Sequence, residues 1–144
     1  MDAREDGLSS YKIVQYAGKD IPQAYRAMVF SKWLRSLRSG NDYFKLIASS
    51  AYYGVYHSFI ESILNREQAI LKFAVLIEDP DVVLGWAAME PGKLHYCFVN
   101  TESRRLGVAT ALCSDPVFSI THLTKIGMAI WNSKLKSAVF NPFE

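Results

Sequence analysis

The chain has 144 residues, of which 50% are hydrophobic, 13% aromatic and 21% charged, and its formal net charge is +2. This size is typical of one domain with one hydrophobic core, and the apolar content argues against intrinsic disorder. No stretch approaches the roughly 18 consecutive apolar residues of a membrane-spanning helix. The small net charge argues against a dedicated duplex DNA-binding protein.

The first residues and the two cysteines indicate the compartment. Residues 1–7 mix acidic and basic side chains and no apolar run follows them, which is unlike a signal or transit peptide. Cys97 and Cys113 have neither a CxxC partner nor a histidine at metal-ligand spacing. We therefore expect a reduced, cytoplasmic protein with no metal site and no membrane partner, in which both cysteines pack in the core.

The N-terminal half changes from strand to helix periodicity. Residues 1–10 are expected to be a loose lead-in to a single domain over 11–144, and residues 11–16 alternate with the period of a strand. Two amphipathic helices follow, for which Asp20 and Ser50 are the candidate caps because their side-chain oxygens can accept an orphan amide. The residues between these helices fit either a short helix or a loop.

The C-terminal half predicts mostly strands. Apolar runs separated by turn residues indicate three strands, a helix, a strand, a helix and a last strand. They are placed at 69–77, 82–89, 94–99, 104–113, 118–123, 124–134 and 138–140. The predicted order, β-α-α-β-β-β-α-β-α-β, is that of an α+β fold with a mixed, mostly antiparallel central sheet flanked by helices.

The most informative segment follows the third of these strands, which ends at Val99. A polar loop leads into the helix opened by residues 104–109, and the first amides of a helix have no intrahelical partner and lie at its positive end. Small residues at Gly107 and Ala109 let a ligand approach the backbone, and the preceding arginines add positive charge. This junction therefore predicts a phosphate-binding loop.

The same junction resembles the pyrophosphate loop of the GCN5-related N-acetyltransferase superfamily. That motif, Arg/Gln-x-x-Gly-x-Gly/Ala, is matched by Arg104, Gly107 and Ala109, and Val99 stands five residues before the arginine, as is usual in the family. Residues 83–89 are similar to the family's preceding strand, an aliphatic pair followed by glycine, an aromatic residue and small residues. The inferred element order also agrees, so the resemblance covers nearly the whole chain.

The resemblance implies a GNAT-like fold with a V-shaped opening between the strands at 94–99 and 118–123. Acetyl-coenzyme A would lie there, and an acceptor amine would attack its thioester directly in a ternary complex, with a backbone amide stabilising the oxyanion. The implied coenzyme contacts come from the strand end and the loop: Phe98, Val99, Arg104, Arg105, Leu106, Gly107, Val108, Ala109 and Thr110.

The acid and the base of such a reaction are not determined by a motif. An acceptor amine similar to lysine has a pKa of about 10.4 and must be deprotonated, for which Glu90, His95 and His122 are candidates near the implied opening. Many family members protonate the leaving thiolate with a tyrosine on the last helix. Here Ser133 occupies that position, and no tyrosine follows Tyr96.

The aromatic second helix is the candidate acceptor site. Tyr52, Tyr53 and Tyr56 either line a pocket for the acceptor or pack in the core. His57 and Glu61 are four residues apart and share a helix face, so they form either a base with its orienting carboxylate or a surface pair.

These observations favour an acetyl-coenzyme A-dependent N-acetyltransferase acting on a primary amine of a small molecule or protein. One alternative is a weak or inactive acyl-coenzyme A-binding relative that serves as an interaction module. Another is a phage-type nucleobase-modifying relative, which only the basic stripe of Lys32, Arg35 and Arg38 supports, and a solvated helix face explains the stripe as well. An exposed edge strand at 138–140 would allow a homodimer.

Overall fold

The computed structural model describes residues 11–103, 107–122 and 139–140. They form one six-stranded sheet with helices on both faces. The strands are β1 (Tyr11–Ala17), β2 (Ile70–Leu76), β3 (Val83–Glu90), β4 (Gly92–Val99), β5 (Val117–Ile120) and β6 (Val139–Phe140). The helices are α1 (Gln23–Ser39), α2 (Asp42–Lys45), α3 (Ser49–Leu64) and α4 (Val108–Leu112).

The strands lie side by side in chain order. The pairs β1–β2, β2–β3 and β3–β4 are antiparallel, whereas β4–β5 and β5–β6 are parallel. The predicted α+β class and the mixed, mostly antiparallel sheet are therefore confirmed. Val139 and Phe140, at the edge of this sheet, are exposed, as expected for the last strand.

Burial on both faces explains the unbroken apolar runs of the central strands. α1 and α3 cover one face, where Trp33, Trp86 and Phe73 are fully buried. α4 covers the other face, where Val108 and Leu112 complete a second, smaller core. Strands covered on both sides are apolar at successive positions, whereas in the edge strand β1 the residues 13–17 alternate between exposed and half-buried.

Both predicted helix caps are wrong. Asp20 lies in a short 3-10 turn, and Pro22 occupies the position before α1. Ser50 lies inside the first turn of α3, after Ala48. Neither helix start has a side-chain cap hydrogen bond, because the chain enters α1 through an extended proline and enters α3 through an extended alanine.

Several predicted bounds also change. α4 begins at Val108, after Gly107 with a positive φ of 79°, rather than near residue 104. Cys113 consequently follows the end of this helix instead of lying inside it. β5 stops at Ile120, three residues before the predicted end. The predicted lead-in, residues 104–106 and the predicted helix at 124–134 lie outside the described residues.

Candidate active site

The parallel strands β4 and β5 separate after a short pairing. Residues 92–94 pair with residues 117–120, and in the last contact the Thr121 N–H donates to the Leu94 carbonyl at 3.1 Å. β4 then continues to Val99 paired with β3 on its other side. Within the described residues, β5 pairs with β4 no further than Leu94, so the two strands diverge at the place where the resemblance implied an opening.

β4 has a bulge where the two strands separate. Ala88 faces Tyr96 and Met89 faces Leu94, so His95 is an extra residue with no partner on β3. A bulge increases the local twist and changes the direction of a side chain. His95 is fully buried, and its ring lies at the closed end of the opening, in contact with the residue that follows β5.

A continuous chain of polar contacts passes through this histidine. His95 Nε2 lies 2.8 Å from Glu90 Oε1, which also accepts a hydrogen bond from Arg66 Nη1 at 2.8 Å. His95 Nδ1 lies 2.8 Å from Thr121 Oγ1, which lies 2.9 Å from His122 Nδ1. The structure thus brings together three predicted catalytic residues, and it adds Thr121 and Arg66, which the sequence analysis did not identify.

Burial determines the charge states along this chain. It lowers the pKa of His122 to about 4 and also lowers the pKa of His95, for which the Glu90 carboxylate acts in the opposite direction. Burial alone would raise the pKa of Glu90, but hydrogen bonds from Arg66 and His95 hold it below its ordinary value. At neutral pH the chain therefore consists of a carboxylate and two neutral imidazoles.

Aromatic rings surround the outer end of this chain. The His122 ring packs edge-on against Trp33, with ring centroids 6.0 Å apart. It also packs against Phe59 in a tilted arrangement, with centroids 5.2 Å apart. Tyr96 stacks on Trp33 at 5.2 Å, and its hydroxyl lies 2.6 Å from Ser36 Oγ. These rings come from α1, α3 and β4, so the opening has an aromatic wall on the face that those helices cover.

The predicted acceptor tyrosines do not form one surface. Tyr52 is 1% exposed, and its hydroxyl donates to the Leu34 carbonyl at 2.6 Å. Its ring also stacks on Tyr56, which is half-buried. Tyr53 is exposed. Tyr52 is thus a core residue with no free polar group for an acceptor, and the remaining two are partly accessible.

His57 and Glu61 are engaged separately by α1. The His57 ring stacks on Phe30 with centroids 4.6 Å apart. Glu61 forms an ion pair with Arg26 at 3.7 Å. Each residue thus helps to fasten α3 to α1 through its own partner on α1, which is neither of the two arrangements predicted for His57 with Glu61.

Structural roles account for much of the basic stripe on α1. The Arg38 guanidinium donates to the Ile47 carbonyl at 2.8 Å and to Ser49 Oγ at 2.7 Å, so it holds the connection between α2 and α3. Lys32 lies over the Phe98 ring at 5.8 Å. These contacts weaken the only support for a nucleobase substrate.

The surroundings of two glycines, Gly107 and Gly85, show how the backbone lies at the implied coenzyme site. A Cβ placed on Gly107 would meet no atom of the described residues within 4 Å. The Phe98 carbonyl lies 2.7 Å from the position of a Cβ on Gly85 and therefore points toward β3. Because backbone groups alternate along an antiparallel strand, the amide and carbonyl of Cys97 point away from β3, toward the opening.

The remaining implied coenzyme residues differ in accessibility. Val108 is buried in the second core, Ala109 is half-buried and Thr110 is exposed. Arg104, Arg105 and Leu106 lie outside the described residues, as does Ser133. The phosphate-binding role of the loop stays a prediction.

The two cysteines lie together on the face covered by α4. Both belong to the periphery of the second core, as the sequence predicted. Their mutual hydrogen bond raises the pKa of Cys97 and lowers the pKa of Cys113. The nearby Lys72 amine also lowers the pKa of Cys113. Lys72 is itself buried and pairs with Asp115 at 2.6 Å.

Residues 11–103, 107–122 and 139–140 lack two features. They contain no group of three or more histidine, cysteine, aspartate or glutamate residues placed to hold a metal ion. None of their helices combines the length and the apolar character needed to cross a membrane.

Solved structures share this architecture. A candidate acetyl transferase from Pyrococcus furiosus superposes with a TM-score of 0.58 at 16% identity, over 92% of this chain and 82% of the other. A ribosomal-protein-alanine N-acetyltransferase from Brucella melitensis gives 0.54 at 14% identity, over 87% and 90%. A Clostridium acetobutylicum protein named as an acetyltransferase, solved with acetyl-CoA, gives 0.56 at 14% identity, over 85% and 86%.

The similarity lies in structure alone. No protein-family model matches the sequence, and no curated protein is similar to it in sequence. At such low identity the superpositions establish the fold: the chain has the GCN5-related N-acetyltransferase fold.

Proposed function

We propose that the protein is an N-acetyltransferase that moves the acetyl group of acetyl-coenzyme A to a primary amine. The observation that carries this proposal is the separation of β4 and β5 at the His95 bulge, with a buried polar chain at its closed end. A cleft between strands can receive an extended ligand as an added strand. The polar chain supplies proton-transfer groups beside that ligand.

The coenzyme is proposed to bind beside β4, on the side away from β3. Its amide-containing arm would pair with the backbone groups of Cys97, and its phosphates would meet the loop before α4. Gly107 suits this role because no atom of the residues that the structure describes lies within 4 Å of a Cβ placed there. The same arm would bring the thioester to the opening, where backbone amides could stabilise the oxyanion.

The acceptor amine is proposed to enter from the aromatic side, next to His122. Direct attack forms the new C–N bond, and the thiolate leaves with the electron pair of the broken C–S bond. His122 Nε2 would take the proton that the amine must lose. A thiol has a pKa of about 8.5, so departure of the thiolate does not require a strong acid, and Ser133 is the proposed donor from the sequence.

The acceptor is a small molecule or a protein, and the compartment is the cytoplasm. The fold neighbours suggest which amines to test, because their names include a ribosomal-protein-alanine N-acetyltransferase and an aminoglycoside acetyltransferase. A panel of a peptide α-amine, a peptide lysine, an aminoglycoside and a polyamine covers these chemistries.

Calorimetric titration with acetyl-coenzyme A tests the coenzyme site. The variants Gly107→Glu and Gly107→Lys carry the same backbone strain at φ 79° but opposite charges. If phosphates lie beside this residue, the glutamate variant should bind at least about tenfold more weakly than the lysine variant, because like charges repel. The difference should shrink as salt is added.

Release of free thiol with each amine of the panel then tests the reaction. Release above the amine-free rate supports the transferase. Tight coenzyme binding without release by any amine supports the interaction-module alternative, and absence of coenzyme binding refutes the proposal.

A further inference from the structure

The hydroxyl of Thr121 lies between two imidazole rings. Its oxygen is 2.8 Å from His95 Nδ1 and 2.9 Å from His122 Nδ1, and Thr121 is 2% exposed. A threonine hydroxyl has one hydrogen, so it can donate to only one of the two rings. The other ring must then donate to the oxygen, and the proton positions on the two histidines depend on each other.

Glu90 determines how the first ring can be protonated. Its carboxylate oxygen is 2.8 Å from His95 Nε2 and cannot donate, so this nitrogen must carry a hydrogen. In a neutral His95, Nδ1 then has only a lone pair and accepts the Thr121 hydrogen. The Thr121 oxygen in turn accepts a hydrogen from His122 Nδ1, which leaves the lone pair of His122 on Nε2.

A second arrangement fits the same atom positions with one more proton. When Nε2 of His122 takes a proton, its Nδ1 hydrogen can pass to the Thr121 oxygen while the Thr121 hydrogen passes to His95 Nδ1. His95 then carries hydrogens on both nitrogens and the positive charge, and His122 is neutral again with its hydrogen on Nε2. No atom has to move other than the hydrogens.

We propose that Thr121 couples His95 and His122 into a proton relay, in which a proton taken from the acceptor amine at His122 Nε2 is held as charge on His95. The source of the proton rests on the proposed function. His122 is the group that touches the substrate, whereas Thr121, His95 and Glu90 are positioning residues behind it.

The charges around the two rings support proton transfer from His122 toward His95. His95 faces the Glu90 carboxylate, which favours its charged form, and it lies near Arg66 and Lys93, which oppose that form. His122 is packed between the uncharged rings of Trp33 on α1 and Phe59 on α3, with His95 as the ionisable group that acts on it. Within the described residues, His95 is therefore the histidine of this pair whose positive charge would lie beside an anionic partner.

The His95 backbone is also part of this arrangement. An interaction with the His95 backbone raises the pKa of His122, against the larger effect of burial. The bulge at His95 thus contributes a backbone interaction as well as a side chain.

Nitrogen-15 NMR of the imidazole rings tests the relay without any substrate. The chain has three histidines, and the exposed His57 serves as the internal reference. At neutral pH we expect His95 as the Nε2–H tautomer and His122 as the Nδ1–H tautomer. On acidification the first added proton should appear on the His95 ring. An Nε2–H tautomer of His122 at neutral pH, or first protonation of His122, would overturn the proposal.

Thr121→Val and Thr121→Ser are the matched variants, because valine keeps the shape and loses the hydroxyl while serine keeps the hydroxyl. In Thr121→Val, His122 should return to the Nε2–H tautomer that a solvated histidine side chain prefers, and the two rings should titrate independently. Thr121→Ser should retain the coupled titration. Equal titration of wild type and Thr121→Val would overturn the relay, and the wild-type tautomers decide the question if Thr121→Val does not fold.

Activity supplies a separate readout. With an amine that the wild type acetylates, Thr121→Val should lower kcat about 10- to 100-fold and leave the KM for acetyl-coenzyme A within about twofold, with serine restoring most of kcat. An unchanged kcat in Thr121→Val would refute the catalytic part. If no amine is acetylated, the proposed function fails while the NMR result still decides the coupling.

Discussion

Gly85 is the position where one added methyl group should disturb both the fold and the coenzyme strand. A Cβ there would lie 2.7 Å from the Phe98 carbonyl oxygen, 3.2 Å from Val99 Cα and 3.2 Å from Val108 Cγ1. Two of these atoms belong to the backbone of β4, so they cannot rotate away like a side chain. Gly85→Ala must therefore push β4 away from β3 or displace α4.

The expected cost is that of an overpacked core, about 1–3 kcal/mol of the free energy of unfolding. For a chain of this size, each kcal/mol corresponds to roughly 2–4 °C in the melting temperature. Urea unfolding followed by tryptophan fluorescence measures the cost directly, because Trp86 is the next residue in β3. The same shift of β4 should raise the Kd for acetyl-coenzyme A.

Gly54→Ala is the matched control. This glycine lies in the middle of α3, and a Cβ there would meet no atom within 4 Å. Alanine is the better helix former, so this variant should be more stable than the wild type by up to about 1 kcal/mol. Equal stability of Gly85→Ala and wild type would refute the steric argument, as would a loss in Gly54→Ala as large as that in Gly85→Ala.

Three further predictions concern buried polar groups. Tyr52→Phe removes the buried hydroxyl that donates to an α1 carbonyl at 2.6 Å and should cost about 1 kcal/mol in urea unfolding, whereas the exposed Tyr53→Phe should cost nothing measurable. His122 binds a proton more weakly in the folded chain than in the unfolded chain, so between pH 6.5 and 4 the free energy of unfolding should fall as the pH falls. Its share is on the order of 3 kcal/mol and should be missing from the pH profile of His122→Phe. Asp115→Asn leaves the buried Lys72 ammonium without its carboxylate partner and should destabilise more than Lys72→Met, and a double variant should recover most of the loss.

The strands and helices could largely be predicted from local patterns. The alternation at 11–16 predicted β1, and the helical spacing of apolar residues predicted α1 and α3. The caps at Asp20 and Ser50 could not be predicted, because a helix start depends on how the chain arrives there. In both cases an extended residue, Pro22 or Ala48, took the cap position, two residues after Asp20 and two residues before Ser50.

The candidate site could be predicted only in part. Glu90, His95 and His122 were candidates because of their chemistry, but nothing in their spacing shows that they form one chain of contacts. Thr121 had no local signal, since its role depends on a contact with a ring 26 positions earlier in the sequence. Tyr52 had the chemistry of an acceptor contact, and only packing shows that it is buried.

The sequence by itself determined which residues can carry the chemistry and the local periods that build the sheet and its helices. Tertiary structure decided how those residues meet. Parallel pairing of β4 with β5 brings Thr121 to Leu94, and the bulge turns His95 toward it. Burial among aromatic rings then makes a charge on His122 unfavourable. These effects arise from segments distant in sequence, because desolvation and register exist only after the sheet has formed.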